Sequence, residues 1–123
     1  MRTGLTTRSA NPGGDKPPGR TWVVHPLNAV DISAASEWGS VRYINNRYVY
    51  PDELGDDNRI PSDFMDRLKT AAAEFDPEKD CLIMVGDHVQ VAALVYCLSA
   101  LKKTFRLLRF DRHVSKYVPV TIG

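Results

Sequence analysis

Three stretches of this 123-residue chain carry side chains whose types and spacing can do chemistry. The first is Gly86-Asp87-His88, set between an apolar run and a helix-like run. Unpaired N–H groups at a helix start attract anions. Asp87 also suits capping that helix itself, and its charge opposes a phosphate there. No dinucleotide fingerprint, phosphate-loop or nucleophile-elbow pattern accompanies it. The second stretch is basic: Arg106, Arg109, Arg112, His113 and Lys116, preceded by Lys102 and Lys103. It reads either as charged gatekeepers on an edge hairpin or as a rim for phosphate or carboxylate. The third interleaves Tyr43, Tyr48 and Tyr50 with Arg42 and Arg47. It reads as the core face of a hairpin or as a stacking platform for bases.

The remaining chemistry-bearing residues are sparser. Asp52, Glu53, Asp56 and Asp57 lack the spacing of a calcium loop and read as a solvated acidic loop. His25, His88 and His113 stand apart; His25 meets Gly86-Asp87 only if their strands are neighbours. Ser99, Cys81 and Cys97 lie inside apolar runs, poor surroundings for an activated nucleophile. The two cysteines form no CxxC and read as reduced core thiols, in keeping with a cytosolic life. The expectation is a non-enzymatic chain with no catalytic residue, metal site or cofactor. A net charge of +1 gives no electrostatic case for nucleic-acid binding. No apolar run approaches the roughly 20 residues that span a bilayer.

These groups must be positioned by a small set of elements. Residues 1–20, with four Gly and three Pro, read as a disordered tail, and 21–123 as a single α/β domain. A strand is expected over 21–26. A short helical turn over 29–39 would be capped by Asp31, closed by Gly39, and place Ile32, Ala35 and Trp38 on one face. Residues 40–51 read as a hairpin about Asn45-Asn46, with Tyr43 opposite Tyr48 and the aromatic side toward the core. Residues 62–75 predict a helix capped by Ser62, with Phe64, Leu68, Ala71 and Phe75 as its apolar stripe. Residues 81–85 read as a buried strand, the run from His88 to Lys103 as a helix whose C-terminal charge Lys102 and Lys103 complement, and 104–110 as the next strand. Residues 116–122 return antiparallel as an edge strand carrying Pro119. Together they make one small Rossmann-like α/β sheet of about five or six strands, mixed parallel and antiparallel, with two principal helices. A parallel core pair would be flanked by hairpins.

Eleven of the thirteen residues from Val89 to Leu101 are apolar. A helix lying on one sheet should show a polar outer face, so self-association is expected. The simplest form is a twofold homodimer with Val91, Val95 and Leu98 at the contact.

Asp80 before an aliphatic strand, Gly86 and Asp87 in the turn, Phe110-Asp111 ending a basic-hydrophobic strand, and Tyr117 on the last strand form a recognisable pattern. Over roughly residues 20–122 the chain resembles uncharacterised small α/β accessory proteins of tailed bacteriophages. The resemblance implies a phage accessory protein acting in the host cytoplasm, for which counter-defence is a common role. The preferred expectation is a non-enzymatic protein that binds and inhibits a host component, such as a CRISPR or other immune protein. Candidate contact residues are Arg42, Arg47, Gly86, Asp87, His88, Arg109, Arg112 and Lys116. Two alternatives stand beside it. One is an oligomeric sponge holding a nucleotide second messenger at the Gly86-Asp87 helix start. The other is a virion or assembly protein.

Overall fold

The computed structural model of the chain describes residues 19–27 and 32–123. The expected leader over residues 1–18 and the expected cap at Asp31 lie outside them. Five strands form one sheet in the order β2 (Ser40–Tyr43), β1 (Arg20–Val23), β3 (Cys81–Ile83), β4 (Phe105–Asp111), β5 (Lys116–Ile122). The first four are parallel, and β5 returns antiparallel to β4. Two principal helices, α1 (Ser62–Glu74) and α2 (His88–Ala100), complete the α/β fold.

The strands carry apolar residues on both faces because both faces are covered. Trp22, Val24, Leu82 and Phe105 point to one side, where they pack with Leu68 and Phe75 of α1 and Leu94 and Leu98 of α2. Val23, Cys81, Ile83, Leu108 and Tyr117 point to the other, against Ile32, Ala35 and Trp38. Ala35 and Trp38 belong to a 3-10 turn over Ser33–Trp38, with Ile32 at its N-cap, and Gly39 ends it with φ of 145°. Thus a full helical layer lies on one face and a single short turn on the other. The α1 stripe of Phe64, Leu68, Ala71 and Phe75 is buried as the spacing predicts.

Several local expectations are corrected. Residues 40–51 form no hairpin. Ile44 and Asn45 donate backbone N–H to the Val23 and Val24 carbonyls at 3.0 and 2.8 Å, so the chain runs on beside β1 instead of turning back. The Asn45 side chain is buried and committed elsewhere, so it cannot serve as a free turn residue. The tyrosine side does not face the core: Tyr43, Tyr48 and Tyr50 are 47%, 43% and 58% exposed. The parallel core is four strands, and the flanking hairpin is β4–β5 alone. Ser62 does not cap α1; Pro61 holds the cap position with no side-chain bond. Lys103 reaches the other helix, its ammonium bonding the Ala72, Ala73 and Phe75 carbonyls at the end of α1 at 2.8–2.9 Å.

The apolar α2 is largely accommodated within the chain. Val91 and Leu98 are buried in the chain's own core and Val95 packs against it. Gln90 lies on the inner face too, fully buried. The outer face mixes small residues, Ala92, Ser99 and Ala100, with the exposed Val89 and Tyr96, and Leu101 is exposed just past its end. Counting alanine with leucine as apolar overstates the surface such a helix must hide, because alanine offers little area to bury.

Candidate functional site

Strand order reverses between β1 and β3: the chain goes from β1 to one side for β2, then crosses back to the other side for β3. In parallel α/β sheets the crevice at the C-terminal ends of such strands is the usual ligand site. Here it is filled by the chain's own side chains. His25 follows β1, Gly86-Asp87 follows β3, and residues 44–50 drape across both.

Asp87 is the anchor. It is 3% exposed. Its Oδ1 accepts from the Val89 N–H at 3.0 Å, the α2 cap expected from sequence. Its Oδ2 accepts from the Val49 N–H and from Gln90 Nε2, both at 3.1 Å. Gln90 Nε2 also donates to the Arg47 carbonyl at 3.0 Å, while its Oε1 accepts from Asn45 Nδ2 at 2.9 Å. Asn45 Oδ1 in turn accepts from Arg67 Nε. The network ties the 44–50 segment to both helices. Its members are polar groups that would each cost free energy if buried unpaired.

His25 is buried and its ring is fixed at both nitrogens. The Asp87 backbone N–H donates to Nε2 at 3.0 Å, so Nε2 is unprotonated and Nδ1 carries the hydrogen donated to the Pro26 carbonyl at 2.8 Å. Gly86 makes this fit possible. With φ of 94°, a Cβ there would come within 3.0 Å of Val24 and 3.1 Å of His25. His25 and Asp87 therefore meet as the strand order allows, through backbone and ring rather than carboxylate and ring. His88 stands exposed beside them at the start of α2.

The network carries an exposed crest. Tyr48 packs edge-on against His25 at 6.5 Å between centroids, and against Tyr50 at 5.0 Å. Arg47 pairs with Glu53 at 2.6 Å, a bond that holds the Glu53 carboxyl below and the Arg47 guanidinium above their ordinary pKa values. Arg42 lies exposed over the Trp22 ring at 5.5 Å. The other basic candidates, Arg109, Arg112 and Lys116, are exposed on the β4–β5 hairpin. They stand near the same end of the sheet but beyond β3. Arg106 is tied to the Glu78 carbonyl at 2.8 Å and takes no part.

Burial pushes both the Cys81 and Cys97 thiols up, away from the thiolate that nucleophilic chemistry needs. Among the described residues, no group of three or more His, Cys, Asp and Glu is placed to hold a metal. No helix among them is long and apolar enough to cross a membrane. Sequence reasoning missed Asn45 as a buried hub, Gln90 as its partner and Arg67 at its end. The available signal was Gln90 itself, a strongly polar side chain inside an otherwise apolar helix.

A mixed, mostly parallel α/β sheet with its crevice closed by a draped segment is thus the class of the molecule. The family model described as "Phage Pam3 gp32-like protein" matches residues 20–123, and the chain belongs to that family. No curated protein and no solved structure matches the chain.

Proposed function

We propose that the protein is a non-enzymatic phage accessory protein that binds a host protein through the Tyr48–Tyr50 crest and thereby blocks it. Host immune proteins are the first class to test, as counter-defence is what the phage setting suggests. One observation carries the reading: exposed tyrosines and arginines stand on a segment pinned from below by a buried, hydrogen-bonded network. Tyrosine and arginine dominate the binding energy of protein interfaces. A pinned segment loses little freedom on docking, which favours affinity. A nucleotide sponge at Gly86-Asp87 has less support, because the Asp87 carboxylate already occupies the α2 N-terminus.

The test is capture from host lysate by the tagged full-length chain. The wild type is expected to retain a stoichiometric host partner. Tyr48→Ala with Tyr50→Ala is expected to weaken that complex by about 30-fold or more, the scale of a hot-spot loss, at unchanged melting temperature. A wild type that retains no stoichiometric partner, or a double variant that binds as well as wild type, overturns the proposal.

A further inference from the structure

An open depression of about 590 Å3 lies beside the network, between residues 43–47 and the first turns of α1. Tyr43, Asn46, Arg47, Asp63, Phe64 and Arg67 line it. Its two cations are unusually well placed. Both guanidinium carbons sit 5.1 Å from the Phe64 ring centroid, so two like charges share one ring. The Arg67 Nε edge is held by Asn45, which is itself fixed from below by Gln90. Its outer edge meets Asp63 only at 3.5 Å, with that carboxylate 64% exposed. Surface pairs of this kind contribute little.

We infer that this depression receives one carboxylate side chain from the protein partner, which displaces Asp63 from Arg67. The inference rests on the reading above and names the chemistry of that partner: an acidic residue followed by an apolar one that packs on the exposed Tyr43. A pre-oriented guanidinium matches a carboxylate in a forked, two-bond geometry, and arginine is the side chain suited to it. Asn46 adds an amide beside it. Carboxylates of this chain occupy both cations: Glu53 on Arg47 and Asp63 on Arg67. A carboxylate that takes the place of Asp63 brings a single negative charge, whereas a continuous phosphate backbone brings many beside Glu53 and Asp52, and the net charge of +1 does nothing to attract it.

The experiment follows the arginine Nε–H signals of the full chain by NMR. The probe is acetyl-Asp-Phe-amide, with acetyl-Asn-Phe-amide and inorganic phosphate as separate arms. The Asp peptide is expected to shift the Arg67 signal saturably in the millimolar range, on the order expected of a single charge-assisted contact. The Asn peptide is expected to leave it in place. Asp63→Asn, a change at an exposed side chain, is expected to tighten binding by about threefold. Arg67→Lys keeps the charge but loses the fork; followed through the Asn46 backbone amide, which lines the same depression, it is expected to abolish the saturable shift that the Asp peptide causes there in the wild type. Phosphate that shifts Arg67 as strongly as the Asp peptide overturns the carboxylate assignment. A folded wild type that responds to none of the three, or an Asp63→Asn variant that binds no better, overturns the site. The titration uses no host protein, so it is separable from the capture assay. Saturation without host capture leaves the site and removes the proposed function. Capture without saturation does the reverse.

Discussion

Asp80 and Asp87 stand at opposite ends of the same strand, β3, and both are buried carboxylates that accept several hydrogen bonds. Asp80, 1% exposed, takes the Arg20 and Asp76 N–H groups at 2.9 Å, the Trp22 indole at 3.0 Å and the Arg20 guanidinium at 3.1 Å. Asp87 takes three neutral donors and no cation. Asp80 joins the start of β1 to the turn before β3, and little of interest is exposed above it. Asp87 holds the segment that carries Tyr48 and Tyr50. One carboxylate locks the N-terminal end of β3, and the other holds the segment proposed above to bind. Burial and a full set of hydrogen bonds therefore do not by themselves tell the two ends apart. What the bonded group supports is the better guide.

Removing each carboxylate is expected to separate these roles. Asp80→Ala strands a guanidinium, an indole N–H and two backbone donors, and is expected to cost about 3 kcal/mol or more of stability. Acid titration gives the same site a second signature. Burial pushes the Asp80 carboxyl up, but the bonds from Trp22, Asp76 and Arg20 outweigh it and hold it below the usual range. Its stabilisation is thus complete above the unfolded value of about 3.9 and lost as pH falls through the folded value. Urea unfolding of the wild type is expected to show stability declining below about pH 4, and Asp80→Ala to show a shallower decline. Equal slopes would mean that Asp80 does not govern the acid limb.

Asp87→Ala comes next. It loses one helix cap, leaves the Val49 N–H unpaired and removes one of the two bonds that Gln90 Nε2 donates, for an expected cost of about 1–2 kcal/mol. Its larger effect falls on the crest. Amide exchange at Val49 is expected to accelerate, and host capture to fail although the domain remains folded. A variant that keeps the Val49 amide protected would show that the 44–50 segment is held by something other than Asp87, and the contrast between the two ends would collapse.

The same contrast explains what the sequence made legible. The strand expected over 81–85, the turn at Gly86-Asp87, the cap on α2 and the α1 stripe all follow from local patterns of hydrophobicity and turn chemistry, and all are present, although the strand stops at Ile83 and leaves Met84 exposed. The 40–51 region misled because its alternation and Asn-Asn pair satisfy hairpin grammar equally well. What decides the outcome there is a long-range pairing: Asn45 with Gln90, 45 residues away, and Ile44 with Val23. No local rule encodes that partner. The apolar count of α2 did not reveal which of its side chains the fold buries for a related reason, since burial of Val91 and Leu98 depends on α1 packing across the same sheet face.

The smallest expected effect lies on the basic hairpin, and it tests how far the crest extends. Arg112 is exposed in the turn after β4, on the far side of β3 from Tyr48. A charge at the rim of an interface steers the encounter more than it holds the complex. Arg112→Glu is therefore expected to leave the melting temperature unchanged and to slow association with the captured host partner by about threefold, with dissociation unaffected. The effect should shrink as salt rises, because exposed charges more than about 10 Å apart are screened at 0.1 M ionic strength. Surface-plasmon kinetics at two salt concentrations separate the outcomes. A tenfold or greater rise in the dissociation rate, insensitive to salt, would make Arg112 a buried contact. The centre of the interface would then move from the tyrosine crest to the β4–β5 hairpin, and Asp87 would support only its edge.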